Sequence, residues 1–150
     1  MRKVWFNGLI IPESEAKLSI YDSALMYGDV VFEMFRSFNQ KIFKFNEHLE
    51  RLEMSCKILE IDIDFWDCMI PYCEELLNNN EWQKDDEIRG LINISRGILP
   101  MYAEAGMGKS EPNIIMACFP LKYVLKGKSN VYTEGVDVVV PYQRAIPEQF

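Results

Sequence analysis

Apolar positions along the chain recur with two different periods, and those periods predict the elements. Val4, Trp5 and Phe6 precede Asn7-Gly8, and Leu9, Ile10 and Ile11 follow it. Asn-Gly accepts positive φ at both central turn positions, so Lys3–Phe6 and Leu9–Ile11 are expected to pair as a hairpin. Val30–Phe38 reads as a strand with Val30, Phe32, Met34, Arg36 and Phe38 on one face and Val31, Glu33, Phe35 and Ser37 on the other. Asn39-Gln40 then turns the chain into a further strand, Lys41–Phe45. Beyond it the period lengthens, with Leu49, Leu52, Cys56 and Leu59 at helical spacing. Asn46 is placed to cap that helix through its side-chain oxygen, with Glu47 complementing the first turn. A second helix is expected over Asp64–Asn79, with Phe65, Met69, Cys73 and Leu76 or Leu77 inward. Two more strands follow, Glu87–Arg96 and Asn113–Phe119.

This order of meander and helices predicts an α+β fold: a small two-layer domain with a mostly antiparallel sheet and two helices on one face. That N-terminal domain is expected over residues 1–119. Residues 120–134, rich in lysine, read as an interdomain linker. Residues 135–150 open with the apolar run Val136–Val140, which reads as the first strand of an incomplete C-terminal domain.

The composition supports a packed core, since 49% of the 150 residues are hydrophobic and 26% charged. A net charge of −7 argues against non-specific binding to nucleic acid or anionic membranes. No apolar run approaches the roughly 20 residues that span a bilayer, and the N-terminus makes a poor signal peptide, so a cytoplasmic location is expected. Cys56, Cys68, Cys73 and Cys118 form no CxxC pair and sit in apolar patterns. Reduced core thiols explain them better than disulfides or a zinc site, and no metal is expected.

Candidate chemistry narrows to arginines. Gly106-Met107-Gly108-Lys109-Ser110 imitates the end of a phosphate loop, but Ala103 stands where the first glycine belongs, and Pro112 follows where a helix should start. His48 is the only histidine, which excludes a His-pair metal site. Arg36 shares a face with four apolar residues, where a permanently charged guanidinium needs an anionic or carbonyl partner. An internal ion pair and a pocket for a substrate carboxylate both fit that pattern. Arg96 closes a strand at a loop, where it can bind or simply reach solvent. Arg89 falls with Asn93 and Ser95 on the more polar face, and Arg51 lies off the apolar stripe of its helix, as a solvated arginine would.

Tyr27-Gly28-Asp29-Val30-Val31-Phe32-Glu33, then Phe43 and Glu47-His48-Leu49-Glu50-Arg51-Leu52 with Ser55, resemble the N-terminal signature of class IV aminotransferases. Asn7-Gly8, Ser23–Tyr27, Ile94-Ser95-Arg96-Gly97 and Gly135–Val140 continue the resemblance in the same order, over nearly the whole chain. That family includes branched-chain and D-amino-acid aminotransferases and aminodeoxychorismate lyase. The resemblance implies pyridoxal 5'-phosphate as cofactor, with Arg51 at the position of the arginine that binds its phosphate. Tyr27 and Phe32 match positions lining the substrate side, Arg36 an arginine near the branched-chain substrate pocket, and Arg96 a carboxylate-binding arginine of the D-amino-acid branch. Arg89 lies close to, though out of register with, a further carboxylate-side arginine.

The resemblance also implies what this chain lacks. The family's Schiff-base lysine follows a segment like Tyr142–Pro147, and the sequence stops at Phe150 before any such lysine. The expectation is therefore an N-terminal portion with no catalytic residue of its own, inactive alone. The whole enzyme would transfer amino groups between an amino acid, with branched-chain ones preferred, and a 2-oxo acid, as a homodimer. Aminodeoxychorismate lyase chemistry is the alternative within the family, and a non-catalytic binding domain is the alternative outside it.

Overall fold

The structure, a computed structural model, describes residues 1–64, 66–128 and 130–142. The first hairpin forms as expected, β1 (Lys3–Phe6) pairing with β2 (Leu9–Pro12). Asn7 and Gly8 take φ 46° and 94°, the left-handed pair that a two-residue turn of this hand requires. A short helix α1 (Ser23–Tyr27) is capped by Asp22, whose side chain accepts from the Ala24 N–H at 2.9 Å. The chain then enters β3 (Val30–Phe38) and turns back into β4.

That second turn brings a correction. The strand β4 covers only Lys41–Ile42, because Lys44 adopts the left-handed conformation (φ 51°, ψ 43°) and redirects the chain into α2 (Phe45–Ile58). Lys44, not Asn46, occupies the cap position, its carbonyl accepting from His48 N–H at 3.2 Å; Asn46 lies inside the first turn. Leu49, Leu52 and Cys56 form the buried stripe of α2, while Leu59 is its partly exposed C-cap residue. The second helix also starts later than expected: a 3-10 turn over Trp66–Cys68 leads into α3 (Met69–Asn78). Met69, Cys73 and Leu76 are buried there, and Phe65 lies outside the described residues. Cys56, Cys73 and Cys118 are core thiols, but Cys68 is exposed.

The remaining strands are β5 (Ile88–Ser95) and β6 (Asn113–Pro120), joined by a loop that contains the short helix α4 (Pro100–Glu104). Six strands form one sheet in the order β2-β1-β6-β5-β3-β4, every neighbouring pair antiparallel. Helices α2 and α3 cover one face: α2 rests on β3, and α3 on β1 and β6. Between the layers lie Phe35, Leu52, Met69, Leu76, Ile92, Ile94 and Met116, with Trp5 stacked on Tyr72 at 4.7 Å. The expected two-layer α+β architecture is the observed one.

Facing is where the strand pattern misleads. In β3 the helix layer takes Val31, Glu33, Phe35 and Ser37, whereas Phe32, Met34, Arg36 and Phe38 point to the open face of the sheet. The more apolar set is thus the outward one, and a carboxylate and a hydroxyl are inside. Past β6, Leu121 is buried, and the segment expected as a linker carries two single-turn helices, α5 (Lys122–Leu125) and α6 (Val131–Glu134). Val136–Val140 forms no regular element, and Val138, Val139 and Val140 are at least 80% exposed. Residues 143–150, which include Gln143–Pro147, lie outside the described residues.

Candidate active site

Glu33 enters the core from the middle of β3 and is 8% exposed. A buried carboxylate is tolerated only where donors surround it. Helix α2 supplies them from one side, because His48 and Arg51 are three residues apart and so project together. Arg51 Nε donates to Glu33 Oε1 at 2.5 Å and Nη2 to Oε2 at 2.6 Å. His48 Nδ1 lies 2.8 Å from the same Oε2. A bare lone pair there would face the carboxylate, so Nδ1 carries the proton and donates. The Arg51 hydrogen bond, above all, holds the Glu33 carboxyl below its usual range, against the opposing effect of burial, and the bond to His48 adds to it. The bond to Glu33 in turn raises the already high value of Arg51. The Arg51 side chain is nevertheless 64% exposed, and among the described residues nothing accepts from Nη1. Its outer edge is open.

A second arginine site forms on the open face. The antiparallel register sets Arg36 directly opposite Arg89, and Phe32 opposite Asn93. Arg89 therefore shares a face with Arg36, not a separate polar one. Like charges in that position repel, and among the described residues neither forms an ion pair. Arg36 donates to the Ser37 carbonyl at 3.1 Å and lies 4.1 Å over the Phe38 ring, while Arg89 contacts Met34 Sδ at 2.8 Å. A cleft of about 330 Å³ brings Arg36, Arg89 and His48 together with Met34, Leu121 and Leu125. Three nitrogen-bearing side chains beside Met34, Leu121 and Leu125 suit a small carboxylate with a short hydrocarbon tail.

The other expected site residues stand apart from that cleft. Tyr27 ends α1 with its hydroxyl 3.1 Å from that of Tyr102 in α4, and it remains 59% exposed. The same bond, ahead of burial, raises the Tyr102 phenol above its ordinary value. Phe32 is 58% exposed on the open face. Arg96 is engaged within the chain: Nε donates to Asp29 at 2.6 Å, Nη1 to the Glu60 carbonyl at 2.9 Å and Nη2 to the Leu59 carbonyl at 2.5 Å. It ties the start of β3 to the carbonyls that end α2.

The family model for amino-transferase class IV matches residues 30–149. The chain belongs to the class IV aminotransferase family. Members of that family depend on pyridoxal 5'-phosphate. A Methanocaldococcus jannaschii relative, provisionally named a branched-chain-amino-acid aminotransferase, is 44% identical over 97 residues, 64% of this chain and 33% of its own length. The D-alanine aminotransferase of Bacillus licheniformis is 30% identical over 129 residues, 85% of this chain and 44% of that relative. A crystal structure of the Escherichia coli branched-chain amino acid aminotransferase matches with a TM-score of 0.67 at 26% identity, covering 79% of this chain and 40% of that one. The chain thus spans less than half the length of these relatives.

Glu33, Arg89 and Tyr102 were not singled out by sequence reasoning as site residues. For Glu33 the signal was present: a carboxylate alternating with Val31 and Phe35 on a face that turns inward must be paired. Arg89, which the resemblance places close to but out of register with a carboxylate-side arginine, is set beside Arg36 only by strand register, and Tyr102 emerges only through the fold of a loop.

Proposed function

We propose that this chain forms the cofactor- and substrate-facing layer of a pyridoxal 5'-phosphate-dependent aminotransferase acting on an amino acid and a 2-oxo acid. The observation that carries it is Arg51, fixed along one edge by a buried carboxylate and open along the other. A guanidinium so presented suits the oxygens of a phosphate ester, and the residues present therefore fit the cofactor. The cofactor, when bound, supplies the electron sink that the chemistry at the substrate's α-carbon needs. This chain's residues bind and orient: Arg51 the phosphate, and Arg36 and Arg89 a carboxylate, while Phe32 and Tyr27, which stand apart from that cleft, are assigned to the substrate side on the family resemblance alone. Arg96 matches a carboxylate-binding position, yet its present bonds make it a brace between β3 and α2.

Branched-chain amino acids are the preferred substrates, supported by the placement of Arg36 in a cleft that also contains Met34, Leu121 and Leu125 and by the names of two of the relatives. D-Alanine is the second reading, supported by the Bacillus relative. Val136–Val140 is assigned as the first strand of a second domain, after a domain ending near residue 119 and a linker over 120–134. No lysine among Lys122, Lys126 and Lys128 matches the family's position, so the 150-residue chain alone is assigned no transamination. The test has two arms. Binding of pyridoxamine 5'-phosphate should weaken at least tenfold in Arg51→Ala, and equal affinity would sink the cofactor role. Incubation of the chain with cofactor, leucine and 2-oxoglutarate should give no glutamate, and formation of glutamate would refute the assignment of inactivity.

A further inference from the structure

We propose that Glu33 is a positioning residue, which, with the proton on His48 Nδ1, locks the Arg51 guanidinium so that its Nη1 edge is presented to a phosphate monoester. The proposal rests on the reading of Arg51 as a phosphate ligand and adds how that ligand is aimed. Binding through Nε and Nη2 uses one long edge of the guanidinium. Both Nη1 hydrogens and the remaining Nη2 hydrogen stay on the outer side, where the side chain is exposed. Phosphate recognition by arginine needs two neighbouring donors in one plane, and the plane is set here by a carboxylate that cannot itself turn.

Glu33 is immobile for reasons visible in the fold. It sits between Val31 and Phe35 in the ladder with β5, opposite Ile92, and Phe35 packs edge-on against Phe45 of α2 at 4.7 Å. Its Oε2 takes a second donor from His48, itself mostly buried. With that proton on Nδ1, the 3.2 Å approach of Arg51 Nη2 to the same nitrogen is a contact and not a hydrogen bond. The guanidinium is therefore bounded on one edge by Glu33 and beside it by the imidazole, and it has little freedom to rotate away.

Two effects of Glu33 oppose each other. Its negative charge repels an incoming phosphate, whereas its hydrogen bonds remove rotamers that Arg51 would otherwise lose on binding. The proposal requires the second effect to win, which separates it from a merely structural role and from a simple charge balance.

The experiment compares the unmodified chain, Glu33→Gln and Glu33→Asp. Affinities for pyridoxamine 5'-phosphate and for pyridoxamine are measured by calorimetry, and the Arg51 Nε–H signal is followed by nitrogen-proton NMR without ligand. The unmodified chain should prefer the phosphorylated ligand and show a slowly exchanging Nε–H. Glu33→Gln should lower that preference roughly 10–100-fold, by analogy with the loss of an outer partner that orients a metal ligand, and its Nε–H should exchange rapidly. Glu33→Asp, which keeps the charge on a shorter arm, should fall between them, and it serves alone if Glu33→Gln does not fold. A preference unchanged or increased in the variants, with a mobile Nε–H, overturns the positioning role. An unmodified chain with no preference for the phosphorylated ligand overturns the phosphate reading itself, and this proposal with it.

Discussion

Glu33 carries a pH dependence whose sign follows from its surroundings. Its carboxyl titrates below the ordinary 4.5 in the folded chain, chiefly because of the Arg51 hydrogen bond. Its contribution to stability is therefore complete above the unfolded value and is lost as pH falls through the lower folded one. At pH 7, Glu33→Gln should cost about 1–3 kcal/mol, the scale of disturbing a buried hydrogen-bonded polar group. That difference in unfolding free energy should shrink as pH falls through the lowered folded value, where the Glu33 side chain becomes neutral like the glutamine that replaces it. A gap that stays constant with pH would show that the ion pair contributes nothing as a charge. Arg36 predicts the opposite kind of result. It faces Arg89 without an ion pair among the described residues, so Arg36→Met should leave stability unchanged or raise it by about 0.2–1 kcal/mol. In the complete enzyme the same change should raise KM for the carboxylate substrate more than it lowers kcat. Loss of more than about 1 kcal/mol would make Arg36 a structural residue.

At the scale of elements, Gly90 shows how two strands are fitted to each other. It pairs with Phe35 across β3 and β5, and a Cβ at that position would lie 2.1 Å from the Phe35 ring. The ring occupies the space that the missing side chain leaves. Gly90→Ala should destabilise by about 1–3 kcal/mol through overpacking, measured as a shift in denaturant midpoint. The cost should fall when Phe35 is already leucine, since the two sites are in contact. A Gly90→Ala chain as stable as the original would mean that the ring can move aside freely. Elements of this kind were partly legible in the sequence. Asn7-Gly8, the alternation over Val30–Phe38 and the stripe Leu49, Leu52 and Cys56 each follow from local chemistry, and each is present. The Lys41–Phe45 strand failed because Lys44 adopts positive φ, which its side chain does not announce. Which face of β3 is buried also escaped, since that depends on where α2 lands. The site divides in the same way: resemblance supplied Arg51 and Arg36, while Glu33 and Arg89 needed the helix and the register.

For the whole molecule, the unpaired apolar surface is the property that solution experiments will meet first. Phe32, Met34 and Phe38 are between 44% and 58% exposed on the open face, and Val136–Val140 adds a β-branched run with no strand partner among the described residues. No helix among the described residues is long and apolar enough to cross a membrane, so this surface is not a helical span. Such surfaces associate. The chain should show concentration-dependent association in sedimentation, and Val138→Lys should reduce it, as a charge in an exposed β-prone run does. If the lysine has no effect, the contacts lie on the sheet face instead.

The strand order has a consequence for how the chain is made. β1 lies beside β6, and the Asn7 side chain accepts from Ile114 N–H across 107 residues of sequence. At synthesis rates of about 5–20 residues per second, the N-terminal hairpin waits roughly 5–20 s for its inner neighbour to be translated. The hairpin leaves the ribosome well before the strand it packs against, so in the interval the nascent chain presents Trp5 and its apolar neighbours to whatever chaperone is nearest.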